Sequence, residues 1–285
     1  MSGSTRTTRV YCLGNPDKPN VQSALEDFLT FARPRCQLVG YTLGVDGRLA
    51  VEAHANRVVV LGGDGTLIGV ARSLGNNQIP LIGVNAGKLG FLAEFSLEEL
   101  KRNFDAALSD ETLINRRMVL QILVKRGRET IDYGLAINDC VIQAGPPFRM
   151  SNLGVSIDGE HLTDVRGDGL IVCTPSGSTA HNLSAGGPII QPGINAIVLT
   201  PLNPHSLTHK PLVIECEAVI DIHASTVNEG TTAIIDGQVS VALKPDDQVT
   251  IQRFPSDFML VRNPRYAGWH KLVTKLHWGR PPNFD

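Results

Sequence analysis

The run Val58-Val59-Val60-Leu61 contains no polar position, so a strand formed there must be buried on both faces. A second apolar run, IPLIGV (Ile79–Val84), follows a GNN turn. Helical patterns lie around these runs. VQSALEDFLTFA (Val21–Ala32) is amphipathic, Thr66–Leu74 continues from a glycine turn, and a further helix is expected from about Leu97 to Leu108. Thr8–Leu13 and Cys36–Leu43 read as two more strands. Buried strands alternating with helices predict an α/β first domain, residues 1–115, built on a parallel sheet flanked by helices.

After Arg116 the texture changes. Short β-rich runs such as VLQILVK, LAINDCVIQ, GLIVCTP, AIVLTPL and QVTIQRF are separated by turn residues (GP, DG, NP, KPDD). They predict a mainly antiparallel β domain over 116–262, interrupted by one helix near Ser178–Ala185. The tail, 263–285, is expected to form a helix over Pro264–Trp278, carrying Trp269 and Trp278, that packs back on the first domain.

Composition narrows the class. The 285 residues carry a net charge of −2, which gives no bulk attraction to nucleic acid or to an anionic membrane. No apolar stretch approaches the ~20 residues that span a bilayer. The opening MSGSTRTTRV is polar and reads as a short leader, not a signal peptide. The five cysteines lack CxxC spacing, and three sit in apolar runs (VYCLG, DCVI, IVCTP), so reduced core thiols in a cytoplasmic protein are expected.

Val58–Leu74, VVVLGGDGTLIGVARSL, holds the chemistry. Gly62, Gly63 and Gly65 permit close backbone approach, and a helix beginning by Thr66 aims free N–H groups over the turn. That makes Gly62, Gly63, Gly65 and Thr66 a candidate ATP phosphate site, although neither GxxxxGK[ST] nor GxGxxG is present. Asp64 would repel bare phosphate there. It could act near Mg²⁺ brought by ATP, with no fixed protein ligand for the metal, or accept the proton of an attacking hydroxyl. A helix N-cap is the structural alternative.

GGDGT after an apolar strand resembles the superfamily of NAD kinases, diacylglycerol-type lipid kinases and phosphofructokinases. The blocks PLIGVNAGKLGFLAE, AINDCVI, RGDGLIVCTPSGSTAHNLSAGGPII, LTPLNPHSLTHKPLVI and IIDGQ, with the tail KLVTKLHWG, match NAD kinases in order and spacing. The resemblance covers the chain from about Val58 to its end. It implies transfer of the γ-phosphate of ATP to the 2′-hydroxyl of the adenosine ribose of NAD, with a divalent metal ion (Mg²⁺) and Asp64 as general base. It also implies a nucleotide site drawing on both domains, and a homo-oligomer, dimer or tetramer, assembled through the β domain.

Within these blocks, Asn138 can pair with an adenine edge, and Asp139 can accept bonds from ribose hydroxyls or an exocyclic amine; a turn or bulge is the plain alternative. Arg166-Gly167-Asp168-Gly169 alone would be a β-turn; in the family the matching Arg166 and Asp168 contact the dinucleotide, as do the positions of Arg149 and Gln238. The run after Thr174 offers hydroxyls at Ser176, Ser178 and Thr179, which equally suit a helix cap. The resemblance places NAD against Asp64, Gly65, Thr179, Ala180, His181, Asn182, Leu183 and Ser184. His181 stands where the family usually has tyrosine. His205 and His209, flanked by Pro204 and Pro211, read as structural and not as a zinc site. A non-catalytic nucleotide sensor and a lipid kinase remain the alternative functions. No nucleic-acid or membrane partner is expected.

Overall fold

A computed structural model describes residues 8–85, 90–266 and 270–276. Trp269, Trp278, residues 1–7 of the leader and the Ala86–Leu89 part of the PLIGVNAGKLGFLAE block lie outside them. Two compact units form, one from the residues up to Asn115 with those from Met259, the other from Arg116–Phe258.

The first unit alternates as its sequence pattern requires: β1 (Arg9–Gly14), α1 (Val21–Ala32), β2 (Gln37–Leu43), α2 (Arg48–Glu52), β3 (Arg57–Leu61), α3 (Asp64–Leu74), β4 (Leu81–Val84), α4 (Leu97–Arg102), α5 (Phe104–Ser109) and β5 (Ile114–Arg117). Helix α1 buries Val21, Leu25, Phe28, Leu29 and Ala32, one stripe at helical spacing, on the core that also takes Val59, Leu61, Ile82 and Val84. The helix expected over Leu97–Leu108 is two. Ser96 and Glu99 form a capping box that starts α4, and at Asn103 the side chain turns back to the Glu99 carbonyl at 2.8 Å, ending it. Helix α2 was not foreseen; Arg9 closes its C-terminal end by donating to the carbonyls of Ala53 and His54 at 2.7 and 2.8 Å.

The second unit contains β6 (Leu120–Arg126), β7 (Glu129–Ala136), β8 (Asp139–Gln143), β9 (Ser151–Ile157), β10 (Glu160–Gly167), β11 (Gly169–Cys173), α6 (His181–Ser184), β12 (Ala196–Leu202), β13 (Leu212–Glu215), β14 (Ile220–Thr226), β15 (Thr232–Ile235), β16 (Val239–Ala242) and β17 (Gln248–Arg253). They make two six-stranded sheets, β10-β9-β14-β17-β6-β7 and β13-β12-β11-β8-β15-β16. Every pairing recorded within them is antiparallel. One apolar core joins Ile122 and Ile251 of the first sheet with Ile142 and Val172 of the second. Strands β8 and β11 are buried on their other face too, where Val141, Ile171 and Val198 pack against Ala185 and Ile190 of the α6 segment. That second cover explains why GLIVC carries no polar alternation.

The next strand, β18 (Phe258–Val261), returns to the first unit's sheet, whose order is β2-β1-β3-β4-β18-β5. It runs parallel to β4, although its sequence position suggests the end of the β domain. Asn263 then donates from its backbone to Glu94 at 2.9 Å, and the Tyr266 hydroxyl to Glu99 at 2.5 Å. The last element is α7 (His270–Leu276).

Candidate active site

Strands β1, β3 and β4 run parallel in register, with Gly14 opposite Leu61 and Leu61 opposite Val84. Their following loops therefore leave the same edge of the sheet, where open α/β folds bind ligands. After β3, the Gly62 N–H donates to the Val84 carbonyl at 2.9 Å. A Cβ on Gly62 would stand 2.5 Å from Thr66 Oγ1, so only glycine lets the turn close on its own helix. The N-cap is Gly63, in extended backbone, and Asp64 is the first helical residue. The N–H groups of Gly63 and Asp64 have no partner among the described residues, as an anion-binding turn requires.

Asp64 does not cap the helix. Its half-buried carboxylate reaches the loop after β4, accepting from Phe91 N–H at 2.7 Å on Oδ2 and from Leu92 and Ala93 N–H at 3.0 and 2.9 Å on Oδ1. A Cβ on Gly90 would lie 2.0 Å from Oδ1, so glycine is needed for this approach. Of the roughly four lone-pair positions of a carboxylate, three are taken. The fourth, on Oδ2, has no partner among the described residues.

In the second unit the Asn138-Asp139 dipeptide is held by Asp236, in the IIDGQ block. Asp236, with φ 50°, accepts N–H groups from Ile137, Asn138 and Asp139 at 3.0, 2.7 and 3.2 Å. On the other side the Asn138 carbonyl accepts Thr174 N–H at 2.8 Å, and Thr174 Oγ1 donates to Ile137 at 2.7 Å. This grip leaves both side chains of the dipeptide without a hydrogen bond among the described residues. Asn138 is half-buried and Asp139 is 4% exposed. Burial first, then the neighbouring charge of Asp236, pushes the Asp139 carboxyl up to about 7. A buried carboxyl without a partner among the described residues calls for an explanation.

The TPSGSTAHNLS segment divides by direction. Ser178 bonds Pro175 and Ile190, and Asn182, fully buried, donates to Ser178 and Pro188 carbonyls and accepts Thr200 Oγ1 at 2.6 Å. These two tie α6 to the sheet. His181 and Ser184 are exposed, Thr179, Ala180 and Leu183 half-buried. Arg117, 7% exposed, donates to Ser176 Oγ at 3.3 Å and was not picked out from the sequence. Arg149, Arg166, Asp168 and Gln238 are exposed, with Asp168 accepting from Asn203 at 2.8 Å. His209 pairs with Thr163 at 3.2 Å. The described residues contain no cluster of three His, Cys, Asp or Glu side chains, and no helix long and apolar enough to cross a membrane. All five cysteines are buried and free.

Two family models match the chain, the ATP-NAD kinase N-terminal domain over residues 9–112 and the ATP-NAD kinase C-terminal domain over residues 137–263. An NAD kinase of Rhodopirellula baltica is 38% identical over 279 residues, 97% of this chain and 88% of that protein. The chain belongs to the NAD kinase family. An NAD kinase of Geotalea daltonii is 42% identical over 80% of this chain and 81% of its own length. The crystal structure of yeast NADH kinase complexed with NADH has a TM-score of 0.85 at 25% identity, covering 99% of this chain and 91% of that one. Likeness to NAD kinases over the whole length disfavours a lipid kinase or a non-catalytic sensor. Asp236 is the one positioning residue that NAD kinase motifs had already bracketed, in IIDGQ, without giving it a role. The Asp236-Gly237 pair, which favours a turn, was the available signal.

Proposed function

We propose that this chain transfers the γ-phosphate of ATP to the 2′-hydroxyl of the adenosine ribose of NAD, with the roles that follow. The observation that carries the reading is the glycine turn, where two N–H groups without a partner among the described residues lie beside a carboxylate with three of its lone pairs taken. Gly62, Gly63, Gly65 and Thr66 hold the triphosphate. Asp64 takes the proton of the attacking hydroxyl on Oδ2. Asn138 and Asp139 bind the dinucleotide through side chains that the protein leaves unpaired, and Asp236 fixes their backbone. Arg149, Arg166, Asp168, Gln238 and the exposed side of Thr179–Ser184 complete the NAD site, with Asn182 acting through its backbone because its amide is spent internally.

The described residues offer no carboxylate cage for a metal, and three lone pairs of Asp64 are occupied. The nucleotide substrate in this reading is MgATP, its ion held by phosphates and water. The protein works in the cytoplasm as a homo-oligomer assembled through the β unit.

Incubation with ATP, Mg²⁺ and NAD or NADH, separately, should yield ADP with NADP or NADPH. Excess EDTA with repeated washing should abolish turnover, because no lysine stands in the glycine turn to neutralise the triphosphate. Full turnover after that treatment would refute the requirement for the ion. No NADP(H) from either acceptor would refute the kinase reading.

A further inference from the structure

The loop after β1, residues 15–20, belongs to no motif singled out in the sequence, yet it touches the glycine turn. Asn15 N–H donates to the carbonyl of Leu61, the last residue of β3, at 3.0 Å. The orientation of its amide is fixed by chemistry. The backbone N–H of Asp17 can only donate, and it meets Asn15 Oδ1 at 2.9 Å, so the amide nitrogen must face the opposite way. There Nδ2 donates to Thr66 Oγ1 at 3.1 Å.

A hydroxyl has one proton and two lone pairs. The bond from Asn15 draws a lone pair of Thr66 toward Asn15 and turns the proton elsewhere. A helical threonine commonly gives that proton to a carbonyl one turn back, as Thr30 does to Glu26 at 2.9 Å. Thr66 lies in the first turn of α3, is 4% exposed, and its proton finds no acceptor among the described residues.

We infer that Asn15 is a positioning residue which holds the Thr66 hydroxyl as a donor toward the triphosphate, beside the free N–H groups of Gly63 and Asp64. The inference rests on the proposed reading of the glycine turn as the ATP phosphate site. Thr66 alone could accept or donate; Asn15 makes it a donor.

The test is steady-state kinetics on the full chain, with MgATP and NAD varied independently, beside thermal melts. Asn15→Ala is expected to raise KM for ATP about 3–10-fold with KM for NAD unchanged. Asn15→Asp presents only acceptors, which would capture the hydroxyl proton and add negative charge, so its KM for ATP should rise further, about 10–100-fold. Thr66→Ala should raise KM for ATP, Thr66→Ser, which keeps the hydroxyl, should raise it less, and Asn15→Ala added to Thr66→Ala should change nothing more. A rise in KM for ATP with Thr66→Ala but none with Asn15→Ala would overturn the role of Asn15 and leave the phosphate site standing. No rise with either would overturn the phosphate site itself. Additive effects in the double variant, or a fall in melting temperature with KM for NAD and ATP raised alike, would mean that Asn15 only braces the loop.

Discussion

Asp64→Asn is expected to lower kcat by roughly 10²–10⁴ while the dissociation constant for NAD stays within a few fold. A carboxylate is a weak base toward a resting alcohol, but proton transfer can come late, once the oxygen has begun to bond phosphorus. An amide cannot take that proton at all. The structure adds a second consequence. With its oxygen on the Oδ1 side, the asparagine still accepts from Leu92 and Ala93, but its NH₂ then faces the N–H of Phe91, which now meets Oδ2 at 2.7 Å. One hydrogen bond is lost and two donors oppose each other, at about 1–3 kcal/mol. The rate alone therefore mixes loss of a base with loosening of residue 91.

Asp64→Ala separates the two effects, because it frees all three N–H groups. If proton acceptance dominates, the alanine and asparagine variants lose similar kcat. If holding the loop dominates, alanine loses far more, and amide hydrogen exchange at Phe91, Leu92 and Ala93 rises in step with the kinetic loss. A rate within tenfold of the parent for Asp64→Asn would leave Asp64 as a loop clamp only. NAD affinity collapsing with the rate would make it chiefly a substrate-holding residue.

Much of this was legible in the residues. Fully apolar runs such as Val58–Leu61 dictated strands covered on both faces, and they are. The stripe over Val21–Ala32 gave α1 its bounds because five buried positions share one face. What stayed hidden depends on partners far away in the chain. Phe258–Val261 looks like any apolar strand, and nothing local says that it lies beside β4. The break at Asn103 depends on a side chain preferring a carbonyl one turn back. Asp64 looked like a base or a cap, since its three N–H partners stand 27 to 29 residues away. Asn15 carried no signal, because its value lies in the parallel pairing that sets β1 beside β3.

Asp139→Asn is expected to stabilise the fold above neutral pH and at the same time to weaken NAD binding. The Asp139 carboxyl is 4% exposed, lacks a hydrogen-bond partner among the described residues, and is raised from 3.8 to about 7 by burial and by Asp236. The folded state thus favours its protonated form. For a carboxyl raised on folding, the favourable contribution is complete below the unfolded value and disappears as pH rises through the folded one. Stability tied to this group therefore falls between about pH 4 and pH 7. An asparagine resembles the protonated carboxyl and has no charge to bury, so it should be more stable than the parent at pH 8 by about 2–4 kcal/mol. Thermal melts of both proteins at pH 4, pH 5 and pH 8 read this directly: the gap should be widest at pH 8, narrower at pH 5 and nearly closed at pH 4. Function pulls the other way. The charged carboxylate is the better acceptor for a ribose hydroxyl or an exocyclic amine, and losing it should raise KM for NAD about 10–100-fold with KM for ATP little changed. A variant no more stable than its parent at pH 8 would mean that the buried charge is compensated in solution. Unchanged KM for NAD would remove Asp139 from the site, and the unpaired carboxyl would then need another ligand to explain why the chain keeps it.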